Sequence, residues 1–355
     1  MVAVVTLRHR WPGVPFAVAS AVLFGMSTPI AKALLGDLPP MVLAGLLYLG
    51  SGMGLLMVTG LRRATGTVTE APIRRGDLPW LGAVVFAGGV VGPLLLMVGL
   101  AITPASTASL LLNLEGLSTL AIAWVVFREH VDLRIGLGAA AILVGAIVLS
   151  WTGRTGSINW GALAIVGACG AWGIDNNLTR KLSAADPEQL AMIKGLAAGT
   201  FNTALGLLRA PVWPPIWSIA AAMTVGFVGY GVSLVCFILA LRHLGTARTG
   251  AYFSFAPFAG ASLAILAFGD RVTLTFLVAA GLMAVGLYLH LAERHEHEHM
   301  HDLMAHEHRH VHDAHHQHEH GPNDPPGEPH MHWHEHVRLV HSHPHYPDIH
   351  HRHGH

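Results

Sequence analysis

Long apolar stretches separated by short polar ones extend to about residue 291, and a strongly polar segment follows them. A helix needs about 20 apolar residues to cross the roughly 30 Å hydrocarbon core of a bilayer. Stretches of this size recur ten times, and most carry no charge in their interior. They predict ten transmembrane helices, at 14–35, 41–60, 78–100, 104–127, 133–151, 158–182, 188–209, 216–241, 246–268 and 272–291.

The composition also indicates a membrane protein, because 52% of the 355 residues are hydrophobic and only 12% are charged. The net charge is zero, from 21 Lys and Arg against 21 Asp and Glu, but the signs are unevenly distributed. Residues 1–291 carry a surplus of seven positive charges, and residues 292–355 carry an equal negative surplus. No basic run is longer than a pair, so no nucleic-acid partner is expected. Two cysteines are too few for a disulfide framework.

The distribution of Lys and Arg between the short loops predicts the orientation in the membrane. With residues 1–13 in the cytoplasm, twelve basic residues lie at the inner ends of the helices and three, Arg154, Arg209 and Arg271, lie at the outer ends. Inner loops carry the excess of basic residues in membrane proteins. We therefore expect a multi-pass protein of the plasma (inner) membrane with both termini in the cytoplasm, including the tail at 292–355.

The two halves of the apolar part resemble each other. The stretch FGMSTPIAKALLGDLPP from Phe24 matches WGIDNNLTRKLSAADPE from Trp172, and FREHV from Phe127 matches FGDRV from Phe268. A five-helix copy crosses the membrane an odd number of times, so the second copy enters from the opposite side. Inverted repeats are typical of secondary transporters, whose substrate site lies between the halves. The fold class is therefore predicted to be an all-α integral membrane protein, with five-helix repeats at 14–151 and 158–291.

The chain resembles members of the drug/metabolite transporter superfamily, of the EamA type. The most telling segment is SLLLNLEGLSTLAIAWVVFREHV, at Ser109–Val131, which is similar to the family's fourth helix. Glu129 matches the acidic residue that closes this segment, and Asp270 is its counterpart in the second repeat. Gly116 stands where the family usually has proline, so the resemblance does not establish a kink in the fourth helix, whereas the second repeat keeps Pro257. The resemblance implies ten spans in two repeats, and export or exchange of small organic solutes.

A charge within a span costs about 2.5–3.5 kcal/mol on insertion scales and marks a candidate functional residue. Glu115 lies about halfway along the fourth span, two residues after Asn113. Both are candidates for a transport cavity, with Glu115 as proton acceptor or as counter-ion of a cationic substrate. A buried, hydrogen-bonded carboxyl is the alternative. Lys32, near the outer end of the first span, is expected to extend to the interface.

Asp175 and Lys194 are predicted to lie at similar depth in adjacent antiparallel helices, at about 1.5 Å rise per residue. They form either a structural ion pair or an anion site in the cavity that uses Lys194. Asn176, Asn177 and Asn202 are further candidates for the cavity, and interhelical hydrogen bonding explains them about as well.

The tail contains 23 of the 27 histidines, many at every second position. Imidazole suits Zn²⁺, Ni²⁺, Co²⁺ and Cu²⁺, so the tail is predicted to bind a divalent transition metal. It is also expected to be disordered without metal, because its composition is strongly biased and GPNDPPGEP divides it. The predicted ligands are His295, His297, His299, His301, His306, His308, His310, His312, His330, His332, His334, His336, His341, His343 and His345.

The preferred function is a secondary transporter that exports a small metabolite and whose tail regulates it. The acidic tail would dock on the basic inner loops until metal or protons release it. A divalent-metal efflux protein and a metal-responsive membrane scaffold are the alternatives. No phosphate-binding loop or catalytic triad spacing is present in the sequence, so an enzyme is not expected and no cofactor is required. The expected partners are the bilayer, a small solute and metal ions, and a homodimer is left open.

Overall fold

The computed structural model describes most of the apolar part and four segments of the tail. The described residues are 13–64, 73, 75–127, 133–150, 159–179, 182, 186–209, 214–291, 296–300, 304–310, 330–336 and 340–344. Glu129 and four of the predicted metal ligands, His295, His301, His312 and His345, lie outside these residues.

The described part of the apolar region is helical. In the first half, the helices are α1 (Val14–Leu34), α2 (Pro40–Ala64), α3 (Leu78–Val84), α4 (Gly92–Ile102), α5 (Ala105–Leu111), α6 (Leu114–Phe127) and α7 (Leu133–Ser150). In the second half they are α8 (Trp160–Thr179), α9 (Pro187–Arg209), α10 (Ile216–Val225), α11 (Ser233–Phe253), α12 (Ala256–Phe268) and α13 (Leu274–Leu291). A short 3₁₀ turn, Arg75–Asp77, precedes α3. Wider π-helical turns, Val85–Val91 and Gly226–Val232, join α3 to α4 and α10 to α11.

Among the described residues, seven helical stretches are long and apolar enough to cross a membrane, and the helices at 256–268 and 274–289 are apolar but shorter. Large apolar side chains cover much of the outer surface, with Trp217 81% exposed and Leu266 83% exposed. An apolar exterior of this kind fits a bilayer, where lipid tails replace water at the surface. The protein is a multi-pass helical membrane protein. The stretch that contains α8 is not among the seven.

The fourth predicted span is interrupted at Leu112–Asn113, between α5 and α6, although no proline is present there. The backbone N–H groups of Leu112, Asn113 and Glu115 donate to carbonyls three residues back. The amide of Asn113 also donates to the carbonyl of Leu110, 2.9 Å away. A side chain that bonds its own turn competes with the regular helix ladder. The fourth predicted span is therefore broken without a proline, a point that the departure at Gly116 had left open.

The predicted connection at 242–245 is also wrong, since α11 continues through it to Phe253. A single glycine, Gly245, costs a helix only about 1 kcal/mol and does not end it. The chain breaks instead just before Pro257, in the first turn of α12, where proline is tolerated. At the other end of α12, Gly269 adopts the left-handed conformation with φ of 63°, which favours glycine.

Helices in corresponding places of the two halves pack against each other. Gly145 of α7 lies on Ala279 and Met283 of α13, and Gly286 of α13 lies on Gly138 and Ile142 of α7. Higher residue numbers in α7 therefore contact lower residue numbers in α13, so the two helices are antiparallel.

The central pair, α2 and α9, packs in the same way. Gly52 of α2 approaches Leu196 near the start of α9, and Gly206 near the end of α9 approaches Val42 near the start of α2. Small residues permit this close approach of the two backbones.

The tail contains four strands, β1 (Glu296–Met300), β2 (Met304–His310), β3 (His330–His336) and β4 (Val340–Pro344). Strand β1 pairs with β4, and β2 pairs with β3, both antiparallel. The expectation of a disordered tail is therefore wrong for these four segments. The reason is the alternation of histidine with other residues, whose period of two matches the pleat of a strand.

Candidate functional site

At the centre of the molecule, the π-helical turn Val85–Val91 has two carbonyl groups that lack a backbone N–H donor. Pro93 follows the turn and has no N–H, so it cannot bond the carbonyls four and five residues before it, those of Gly89 and Gly88. Side chains from three other helices occupy these acceptors instead. Tyr48 Oη donates to Gly88 O over 2.7 Å, and Trp172 Nε1 donates to the same oxygen over 3.0 Å. The amide of Asn202 donates to Gly89 O over 3.0 Å. The turn thus connects α2, α8 and α9.

A buried ion pair lies directly beside this turn. Lys194 Nζ of α9 donates to Asp175 Oδ2 of α8, as the depth argument predicted. Asp175 is 4% exposed, and its other carboxylate oxygen accepts from Thr179 Oγ1 over 3.2 Å. A side chain at Gly88 would meet the carboxylate of Asp175, so the absence of a side chain there leaves room for the pair. Each charge depends on the other in these apolar surroundings.

Glu115 lies across the interface between α6 of the first half and α8 of the second. Asn176 Nδ2 donates to Glu115 Oε1 and to Thr119 Oγ1, both over 3.1 Å. Asn176 is exposed and Glu115 is half-buried. The charge of Glu115 interacts electrostatically with Asp175 and Lys194. An acidic group, a basic group and an exposed amide from both halves thus lie together.

The other three asparagines that were predicted for the cavity make interhelical or local hydrogen bonds. Asn177 donates to the carbonyls of Thr119 and Gly173, which ties α8 to α6. Asn113, apart from its bond to Leu110, contacts Met283 Sδ at 3.8 Å, which is on the side of α13. Asn202 is 1% exposed against the π turn. For these residues the contacts favour packing.

A small cleft lies between α2, α9 and the second π turn. Tyr48, Ser51, Lys194, Gly195 and Tyr230 line it, among others. The rings of Tyr48 and Tyr230 lie 5.5 Å apart, so α2 and the second π turn meet through aromatic contact beside the Lys194 ammonium. The Lys194 side chain of the buried ion pair therefore borders this cleft.

Polar contacts also lie at the ends of the helices, and two of them join the halves. Asp270, the acidic counterpart of the closing residue, accepts from the backbone N–H of Ser106 over 3.0 Å and from its hydroxyl over 2.6 Å. Lys32 Nζ donates to the carbonyls of Leu100 and Ala101 at the end of α4, where a cation is favourable. At the other end, Arg62 pairs with Glu188.

Several residues that the structure places in this centre are not among those predicted for the cavity. They are Tyr48, Trp172 and Tyr230. Hydroxyl and indole groups within an apolar helix were one available signal, because such groups find partners when buried. Pro93 was a second, since a proline within a span frees carbonyls. Within the described helices of the apolar region, no group of three or more His, Cys, Asp or Glu residues could hold a metal ion.

The fold and this centre define a helical membrane protein in which a charged polar cluster lies between two similar halves. Comparison with known proteins gives the family. The model of the EamA-like transporter family matches the chain twice, at residues 11–151 and 159–292, and the chain belongs to this family. The protein is therefore a membrane transporter.

One known protein and one solved structure are similar to this chain. A protein of Methanothermobacter thermautotrophicus described as an uncharacterized transporter is 26% identical over 300 residues, which cover 80% of this chain and 87% of that protein. A crystal structure described only as that of a protein superposes with a TM-score of 0.60 at 19% identity, covering 80% of this chain and 99% of that one. The second likeness concerns the fold alone.

Proposed function

We propose that the protein is a secondary transporter that exports a small organic solute through a pathway between two inverted five-helix repeats. The repeated match of the family model supports two copies. The antiparallel packing of corresponding helices, α2 on α9 and α7 on α13, supports the inversion. If a two-fold rotation relates the halves, this packing is what an axis perpendicular to the helices, in the membrane plane, would produce. Ten crossings follow if every predicted span crosses once.

The observation that carries the proposal is the meeting of Glu115 with Asn176 beside the Asp175–Lys194 pair. Glu115 belongs to the first half, and the other three belong to the second. A relative movement of the halves therefore changes the surroundings of the carboxylate. A group of this kind can bind a proton or a cationic solute in one state and release it in the other.

Lys194 has two roles in this scheme that are compatible with the structure. It neutralises Asp175, which stabilises the folded protein. It also lines the cleft with Tyr48 and Tyr230. We propose that the ammonium group attracts an anionic portion of the solute when Asp175 is displaced, so that a zwitterionic solute would use Lys194 and Glu115 together.

Purified protein in vesicles loaded with a pH-sensitive dye tests the proposal. Amino acids, nucleosides and quaternary amines, and separately Zn²⁺, Ni²⁺, Co²⁺ and Cu²⁺, would be added one at a time while proton flux is recorded. We expect an organic solute to drive proton flux, and the variant Glu115→Gln to lose at least 90% of it. Glu188→Gln, a matched change in the first turn of α9, should keep the flux.

Each other outcome has a meaning. Flux that persists in Glu115→Gln contradicts the role of Glu115 in coupling. Flux with a divalent metal alone would replace the proposal by metal efflux. No flux with any compound would contradict coupled transport and favour the scaffold.

We further propose that both termini lie in the cytoplasm and that the His-rich tail binds a divalent transition metal and regulates transport. The excess of basic residues in the predicted inner loops supports the orientation. The negative charge of the tail, opposite in sign to these loops, supports docking between them. Transport that is faster after removal of residues 292–355 is the expected result.

A further inference from the structure

The strand register of the tail places histidine opposite histidine. In the β1–β4 pair, His297 lies opposite His343 and His299 lies opposite His341. In the β2–β3 pair, His306 lies opposite His334, His308 opposite His332, and His310 opposite His330. Five cross-strand histidine pairs therefore occur within two short sheets.

The register also separates histidines from acidic residues. Directly opposed residues share one face of a sheet, and so do residues two apart in a strand. In the β2–β3 sheet, the seven histidine positions therefore share one face, whereas Glu307, Arg309 and Glu335 belong to the other. In the β1–β4 sheet, Glu296 and Glu298 likewise fall on the face without histidine.

The spacing of these positions suits metal coordination. Opposed residues in an antiparallel pair lie about 4.5–5.5 Å apart, and residues two apart along a strand are separated by about 6.6 Å. Two successive pairs thus give a four-histidine group, and tetrahedral Zn²⁺ takes four ligands, with imidazole nitrogen among the common ones. One such group is His297, His299, His341 and His343, and another is His306, His308, His332 and His334.

We propose that the tail is a β-hairpin in which each four-histidine group holds one divalent transition-metal ion of the zinc or cobalt type. The inference deepens the proposed metal binding of the tail and rests on it. If metal binding depended only on the number of histidines, their order in the tail would not matter. Binding by register needs them opposite each other, so the metal closes the hairpin and brings 296–310 against 330–344.

The proposal can be tested with full-length protein in detergent, using variants that change only the order of residues in the strands. The first variant exchanges neighbours in β2 through His306→Glu, Glu307→His, His308→Arg and Arg309→His, which moves two histidines to the opposite face. The second variant adds His330→Met, Met331→His, His332→Trp and Trp333→His in β3. It returns histidines to positions opposite 307 and 309. All three proteins have the same composition.

Co²⁺ and Zn²⁺ titrations measure the result. Four-coordinate Co²⁺ absorbs visible light far more strongly than six-coordinate Co²⁺. We expect the first variant to lose one tight site, so that the affinity of that site falls at least tenfold and the visible absorption of bound Co²⁺ decreases. We expect the second variant to regain the affinity and the absorption. Equal affinity and spectra in all three proteins would overturn the register-defined sites while leaving metal binding by the tail intact. Binding no tighter than in protein truncated after Leu291 would contradict metal binding by the tail itself.

Discussion

The two π-helical turns have the same length and begin and end 141 positions apart, yet they are used differently. Val85–Val91 is followed by Pro93, and its free carbonyls accept hydrogen bonds from Tyr48, Trp172 and Asn202. At the position corresponding to Pro93, Gly226–Val232 is followed by Leu234. Gly226 of this second turn packs against Leu47, and Gly229 packs against Ser27. One turn is a polar anchor, and the other is a surface for close packing.

The side chains opposite these turns differ in the same way. Asp175 faces Gly88 in the first turn, and Ser27 faces Gly229 in the second. Asp175 and Ser27 are themselves matched in the alignment of the two halves. The close contacts at the two glycines are thus repeated, whereas a charged side chain is present at only the first turn. A transporter with a single polar centre needs a charged residue at only one of the two matched positions.

The largest difference is expected when the ion pair is broken. Asp175→Ala leaves the Lys194 ammonium buried without its partner, which should cost about 3–5 kcal/mol. Ser27→Ala, the matched change, removes an uncharged hydroxyl that bonds Phe24 O within the same helix and also interacts with Tyr230, and it should cost about 1 kcal/mol. The yield of monodisperse protein and the midpoint of thermal unfolding in detergent measure both. Similar losses in the two variants would contradict the asymmetry.

The exchange Asp175→Lys with Lys194→Asp separates the two roles of the pair. Recovery of folding together with transport indicates a purely structural pair. Recovery of folding without transport indicates that the position of the positive charge matters to the solute. A variant that does not fold would contradict the view that these two charges mainly neutralise each other.

A methyl group at each turn should have the next largest effect. Gly88→Ala would press on the Asp175 carboxylate, and Gly229→Ala would place its Cβ 2.7 Å from Ser27 Cβ. We expect overpacking to cost about 1–3 kcal/mol, with the greater loss at Gly88, because the ion pair must shift. Gly82→Ala is the control, since no atom lies within 4 Å of its Cβ. It should be neutral or stabilising in thermal unfolding.

Loss of a single anchor at the first turn should have a smaller effect. Tyr48→Phe or Trp172→Phe leaves Gly88 O with one donor, so each should cost about 1 kcal/mol. The double variant leaves the buried carbonyl without either of these donors. Its cost should therefore exceed the sum of the two single costs by about 1 kcal/mol. Strict additivity in thermal unfolding would show that the carbonyl finds a replacement donor.

The smallest effect concerns the proline that distinguishes the turns. Pro93→Leu reproduces the residue found in the second half and restores an N–H for Gly88 O or Gly89 O. It should change stability by less than about 1 kcal/mol, because a gained backbone bond replaces side-chain bonds. In this background, Asn202→Leu should cost less than it does in the original protein. An unchanged cost would contradict the proposal that Pro93 frees these carbonyls.

Much of the helical architecture was predictable from the order of residues. Apolar runs of membrane length gave the positions of the helices, and the pairing of Asp175 with Lys194 followed from helix rise alone. The break at Leu112–Asn113 was missed, because it arises from an amide that bonds its own turn and not from proline. The continuation of α11 was missed because a charged stretch with one glycine was interpreted as a loop.

The sequence by itself determined that the chain is a membrane protein with two similar halves and a His-rich tail, because length, hydropathy and period are local properties. Only the tertiary structure decided that Glu115 meets Asn176, that Tyr48 and Trp172 share one carbonyl, and that histidines in the tail lie opposite histidines. These pairings join residues 20–84 positions apart in the chain. They depend on which helix faces lie together and on strand register, and no local pattern specifies either.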